Sequence, residues 1–131
     1  MANAAGQTLE GVVSDLLARK GIDYHEQVTV GERSIFGKRI RVDFLILPCV
    51  QFQAGLIIET KWQDVTGTAE EKLPYLWLNI TGYYPYPTMI VLDGSGFTSG
   101  AVDWIKGKID GEKLIAVKSV QEFMSWCNRE L

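Results

Sequence analysis

The chain has one histidine in 131 residues, two cysteines, four prolines and no long hydrophobic run. Each shortage excludes a class of protein. A single histidine rules out multi-histidine metal centres. A Ser-His-acid triad would have to be built on His25, which sits among polar residues at the start of a predicted strand with no nucleophile motif nearby. Cys49 and Cys127 are too few for a disulfide framework and are not spaced as zinc ligands, so they read as buried free thiols. Apolar stretches such as 44–47 fall far short of the roughly 20 residues needed to cross a bilayer. The opening residues, Met1 to Gly6, lack the basic start and apolar block of a signal peptide, so a cytoplasmic protein with no membrane partner is expected. No glycine motif for cradling phosphate is evident: Gly94-Ser95-Gly96 reads as a turn after a strand, which leaves a small-molecule α/β enzyme without support.

What is present is ordinary in bulk and unusual in detail. A hydrophobic fraction of 47% with 22% charged residues is the balance of a globular chain, and the length suits one domain spanning 1–131 with a real core. The net charge of −3 and the pI near 5.1 argue, as sums, against a nucleic-acid partner. Distribution says otherwise, because Arg33, Lys38, Arg39 and Arg41 crowd into nine residues beside Asp43. A basic cluster of this kind is either a solvated hairpin face or a phosphate-binding patch.

Hydrophobic periodicity orders the chain as α-β-β-β-α-β-α-β-α. Residues 7–20 carry Leu9, Val12, Val13, Leu16 and Leu17 at helical spacing, with Thr8 as N-cap and Gly21 as the stop. Strands are expected at 24–30, 39–47 and 55–62, and a turn at 31–37. In the second strand, alternation puts Ile40, Val42, Phe44 and Ile46 on one face, and Arg39, Arg41 and Asp43 on the other. A helix is expected over 67–81, started or interrupted by Pro74 and acidic at its beginning through Glu70 and Glu71. A strand at 88–92, a helix at 100–109, a strand at 113–118 and a closing helix at 119–131 complete the order. Ser119 and Glu122 form a capping box for that last helix. A three-strand meander followed by helix–strand crossovers implies an α/β fold with a mixed central sheet flanked by helices.

Two acids and a lysine fall on adjacent strands among apolar neighbours, where an unpartnered charge would be costly. If 39–47 and 55–62 form a hairpin in which opposed residue numbers sum to 102, Asp43 faces Glu59 and Arg41 faces Lys61. Opposed side chains lie roughly 4.5–5.5 Å apart at Cβ, close enough to share one cation. Glu59 and Lys61 are two residues apart and therefore point to the same side, about 7 Å apart at Cα. Mg²⁺ typically takes one or two carboxylates together with water and substrate phosphate, and an ammonium beside it can orient a water or hold a phosphate. The alternative is a structural salt bridge from Lys61 to Asp43 or Glu59. Glu10 lies within about 20° of Leu17 on the helical wheel, at the edge of the apolar stripe. Gln63 continues the Glu59 face. Each of these two is equally readable as a boundary polar residue or as part of a site.

Asp43 followed by Glu59-Thr60-Lys61, with the run from Gln63 to Tyr75 behind it, resembles the PD-(D/E)XK nuclease superfamily and its restriction-endonuclease-like fold. The likeness covers the αβββαβ core from Glu10 to Leu92. It implies that Asp43 and Glu59 hold a metal, Lys61 assists the nucleophilic water, and Glu10 is the acid that several members carry on the first helix. Val42 stands where the family name has proline. The resemblance further implies Mg²⁺-dependent hydrolysis, with Mn²⁺ substituting, that leaves a 5′-phosphate and a 3′-hydroxyl. Catalytic candidates are therefore Asp43, Glu59, Lys61, Glu10 and Gln63, and DNA-binding candidates are Arg33, Lys38, Arg39, Arg41 and Lys72. A DNA endonuclease of restriction, homing, phage or repair type is expected, working as a homodimer or higher symmetric assembly. The alternatives are a Holliday-junction-resolving nuclease, or a non-catalytic DNA-binding or assembly module that kept the fold.

Overall fold

The computed structural model describes the backbone of residues 2–65 and 68–131 and the side chains of 8–65 and 69–131. The helix start expected at Gly67 lies outside the described residues. Among the described residues ten elements follow in order: α1 (Ala2–Arg19), β1 (Tyr24–Val30), β2 (Ile40–Ile46), β3 (Leu56–Trp62), α2 (Thr68–Glu71), α3 (Leu73–Gly82), β4 (Thr88–Asp93), α4 (Ser99–Lys106), β5 (Leu114–Lys118) and α5 (Val120–Glu130). The predicted order holds, with the second predicted helix divided at Lys72. Pro74 sits in the first turn of α3, where its missing N–H costs no hydrogen bond. α1 starts earlier than expected, so Thr8 lies inside the helix instead of capping it. Gly21 ends that helix as anticipated, with φ of 68° and Ile22 N–H donating back to the Leu17 carbonyl. Ser119 and Glu122 exchange both bonds of a capping box at the start of α5.

The five strands lie in the order β1-β2-β3-β4-β5. β1–β2 and β2–β3 are antiparallel, whereas β3–β4 and β4–β5 are parallel. Two successive parallel steps in one direction put both crossover helices on one face of the sheet. Leu73, Leu76 and Ile80 of α3 and Ile105 of α4 accordingly pack there against Ile57, Ile90 and Leu92. On the other face, Leu9, Val13 and Leu17 of α1 and Phe123, Trp126 and Cys127 of α5 cover Phe44, Ile46, Leu56, Ile58, Met89 and Val91. Fully burying a side chain such as Phe44 is worth about 1.5–3 kcal/mol. Cys127 is a buried free thiol, as expected, but Cys49 is only half-buried. His25 is exposed.

One expectation fails in an informative way. Ile40 and Val42 belong to the core beneath α3, while Phe44 and Ile46 belong to the core beneath α1 and α5. The four do not share a face, because β2 turns over at Asp43. The β1–β2 pairing skips Gln27 and Asp43, which would oppose each other, and Gln27 has φ of 48°. A residue in that left-handed region breaks the period-2 alternation of a strand, and it is uncommon for a side chain other than glycine.

The loop after β4 folds onto the end of β3. Gly94 has φ of 102°, and a Cβ there would lie 2.3 Å from the Gln63 carbonyl oxygen. Gly94→Ala is expected to lower the unfolding free energy by about 2 kcal/mol or more, through strain and this clash. Gly100, in the first turn of α4 with nothing near its Cβ direction, should behave oppositely. Gly100→Ala is expected to stabilise by roughly 0.5–1 kcal/mol. Urea denaturation of the two variants beside the wild type checks both signs.

Candidate active site

β2 and β3 pair only from Ile46 opposite Leu56 to Phe44 opposite Ile58. That is the register in which Asp43 would next face Glu59, but the ladder stops there. β3 remains paired with β4 through Glu59 opposite Ile90 and Lys61 opposite Leu92, so it is β2 that leaves. The backbone donors released by this parting are taken by the two acids. Glu59 Oε1 accepts from the Asp43 N–H at 2.9 Å. Asp43 Oδ2 accepts from the Thr60 N–H at 2.8 Å and from Thr60 Oγ1 at 3.0 Å. Each carboxylate thus stands in for a ladder acceptor of the opposite strand, which satisfies buried N–H groups that would otherwise be costly.

Two residues not singled out in the sequence complete this arrangement. Gln27, brought there by its left-handed backbone, donates from Nε2 to Asp43 Oδ1 at 3.0 Å and to Glu10 Oε2 at 3.1 Å. Its Oε1 accepts from Arg41 Nε at 3.3 Å. The amide therefore joins α1 to β2. Tyr84, 6% exposed in the core beneath α3, donates from its hydroxyl to Glu59 Oε2 at 2.7 Å. Neither is visible from spacing, since both reach the acids across the fold.

Of the predicted catalytic set, Glu10, Asp43, Glu59 and Lys61 come together and act on one another. Glu59, 4% exposed, has its pKa raised to about 7, first by loss of water and next by the Asp43 charge, against the pull of Lys61 and the bonds from Asp43 and Tyr84. Glu10 is also raised, by burial and then by Asp43, with the Gln27 bond and Lys61 opposing. The Tyr84 hydroxyl is pushed up by burial and by Glu59, so it stays a donor. Gln63 is used elsewhere. Its buried amide donates to Glu70 Oε1 at 3.1 Å and to the Gly96 carbonyl at 2.8 Å, and it accepts from the Glu70 N–H at 2.9 Å. That ties the end of β3 to α2 and to the loop after β4.

Arg41, Glu59, Lys61, Lys72, Tyr75, Leu76, Asn79 and Tyr84 line one cleft of about 240 Å³. Two of the predicted DNA-binding residues, Arg41 and Lys72, therefore share a cleft with Glu59 and Lys61. Lys38 and Arg39 are exposed on the hairpin, and Arg33 lines a separate depression with Gly31, Glu32, Gly82, Tyr83 and Pro85.

The donor set suits a hard divalent cation. Both acids offer oxygen, and the mutual repulsion that raises Glu59 is what a cation would relieve. Among the described residues no three His, Cys, Asp or Glu side chains gather into a metal cage of their own. A site of one or two carboxylates completed by water and substrate phosphate is the type that Mg²⁺ uses.

Glu59 has a consequence for stability. Its folded-state pKa lies above the ordinary carboxyl value, so the folded protein holds this proton more tightly than the unfolded chain does. The stabilisation is complete below the unfolded value of 4.5 and is lost as pH rises through about 7. The metal-free wild type should lose on the order of 3 kcal/mol of unfolding free energy across that window from this group. Glu59→Gln should flatten that part of the profile, and denaturation in EDTA at pH 4.5–8 measures the difference.

A family model described as a PD-(D/E)XK nuclease superfamily domain matches residues 1–131. The fold is also similar to the crystal structure of a protein of unknown function, AF1548, with a TM-score of 0.50 and 17% identity over 85% of this chain and 55% of that one. The chain thus spans about half the length of that protein. No curated protein matches. Nucleases of the superfamily typically use divalent metals, in keeping with the paired carboxylates. The mixed sheet is consistent with the restriction-endonuclease-like fold that the resemblance implied, and the chain belongs to the PD-(D/E)XK nuclease superfamily.

Proposed function

We propose that this chain is a Mg²⁺-dependent DNA endonuclease, with Mn²⁺ able to substitute, built as one domain over 1–131 and acting as a symmetric homo-oligomer. The observation that carries the reading is the parting of β2 from β3 at Asp43 and Glu59. Two acids meet there, and Glu59 of the pair lines a cleft together with Lys61, Arg41 and Lys72. A structural ion pair needs neither the broken ladder nor a second acid buried against the first.

Asp43 and Glu59 would hold the cation. When bound, a divalent cation neutralises charge that grows on the phosphate and makes water a better nucleophile. The remaining work belongs to the side chains. Water attacks phosphorus in line, the bond to the 3′ oxygen breaks, and a 5′-phosphate and a 3′-hydroxyl result. Lys61 orients that water and places a positive charge by the phosphate. Gln27 fixes Asp43 and Glu10 relative to one another, and Tyr84 holds Glu59 Oε2 in place. Arg41, Lys72 and the hairpin cations Arg33, Lys38 and Arg39 grip backbone phosphates on either side of the scissile bond. Two-fold symmetry would present two such sites to two strands.

A Holliday-junction-resolving activity is the near variant, favoured by the tie from Glu10 of α1 through Gln27 to Asp43. Small resolving members of the superfamily also carry an early helix glutamate. A non-catalytic module would have no use for the buried pair of acids, Asp43 and Glu59.

Cleavage of supercoiled duplex, four-way junction and single-stranded DNA in Mg²⁺ tests these readings together. The wild type should cut at least one of the three. Asp43→Ala and Lys61→Ala should each slow cleavage by at least about 100-fold, the scale for removing one electrostatic stabiliser, while still binding DNA. Equal rates in all three proteins would remove the site, and absence of cutting by the wild type in Mg²⁺ or Mn²⁺ would leave the binding module.

A further inference from the structure

Phe36 is the most exposed aromatic side chain among the described residues, at 72%. It lies at the tip of the β1–β2 hairpin, among Arg33, Lys38 and Arg39. Its ring stacks on Tyr75 of α3, with centroids 5.2 Å apart and planes 18° from parallel. One face of Phe36 is therefore covered and the other is open to solvent. Tyr75 in turn lines the cleft that holds Glu59 and Lys61.

The hairpin is held in this position. The Ile35 N–H donates to Asn79 Oδ1 at 2.9 Å, and the Tyr75 hydroxyl reaches Ser34 Oγ at 3.3 Å. Ser34 is buried, and its N–H donates to the Lys38 carbonyl at 2.8 Å. A large apolar residue left this exposed to water offers the fold little stability. Fixing it in place is useful chiefly if something else will cover it.

We propose that Phe36 and Tyr75 form a stacking platform for an unpaired base, so that the preferred substrate is DNA with unstacked nucleotides next to the scissile phosphate. The inference rests on the nuclease reading for the site itself. Charge selects the occupant. A ring flanked by Arg33, Lys38 and Arg39, with Arg41 and Lys72 in the adjoining cleft, is matched to a polyanion that also carries flat apolar rings. In an intact duplex the bases are already stacked on one another, so the open face of Phe36 gains a partner only where a base is free. A bound base would extend the Tyr75–Phe36 pair into a three-ring stack at the mouth of the cleft.

The test measures affinity by fluorescence anisotropy in EDTA, using two labelled oligonucleotide duplexes of the same sequence, one fully paired and one with a two-base bulge. Wild type, Phe36→Ala and Phe36→Trp are compared. Wild type should favour the bulged duplex by about tenfold, within the range for one base–aromatic stack. The preference should fall to about one in Phe36→Ala and return in Phe36→Trp. A wild type without preference, or a Phe36→Ala variant that keeps it, overturns the proposal. So does a change from a larger to a smaller species on gel filtration of Phe36→Ala, which would make the ring a subunit contact. The binding ratio is read without cleavage, so failure of the platform is separate from failure of the nuclease reading, which the Mg²⁺ assay decides.

Discussion

The site depends on one interruption: β2 leaves β3 after a short run of pairing, and the side chains of Asp43 and Glu59 take over the backbone donors that the ladder gives up. A continuous ladder would bury the two strands against each other and leave no room for acids between them. Opening it exposes N–H groups that must be satisfied, and carboxylates are strong acceptors for them. The same bonds that repair the sheet therefore hold the acids in position, and the two carboxylates become part of the structure that carries them.

This arrangement stores electrostatic tension. Glu59 is buried beside a second acid, and its raised pKa records both the lost water and the like charge. Lys61 and the donors on Asp43 and Tyr84 offset part of that, without removing it. A site poised in this way gains more from a bound cation than a relaxed, solvated pair of carboxylates would. Gln27 accepts a left-handed backbone to reach the same point from β1. Strain at a position so tightly bonded to three charged neighbours is the pattern found where geometry serves chemistry.

The scaffold around the acids is arranged to bring basic charge to them. The acidic sum of the chain conceals a local reversal. Arg41 and Lys72 share the cleft with Glu59 and Lys61, and α3 holds the basic hairpin through Asn79 and Tyr75. Gln63 contributes from a distance by locking the end of β3 to α2 and the glycine loop. Net charge sums over the whole chain, whereas a partner meets charge where it is placed along the folded surface.

Much of this was legible from the chain alone, and the reason is periodicity. Strands 24–30 and 55–62, the capping box at Ser119, the stop at Gly21 and the hairpin register that sets Asp43 toward Glu59 all follow from local spacing, which each segment carries within itself. The face reversal at Asp43 was not legible, because a left-handed glutamine leaves no mark in a pattern of apolar and polar residues. Tyr84 and Gln27 were missed for a related cause: they meet Glu59 and Asp43 only after strands far apart in sequence have been laid side by side. Sequence by itself determined which elements form and which acids and bases are available. Tertiary structure alone decided which of them share a space and in what state of charge, because desolvation and through-space repulsion exist only once the chain has closed around them.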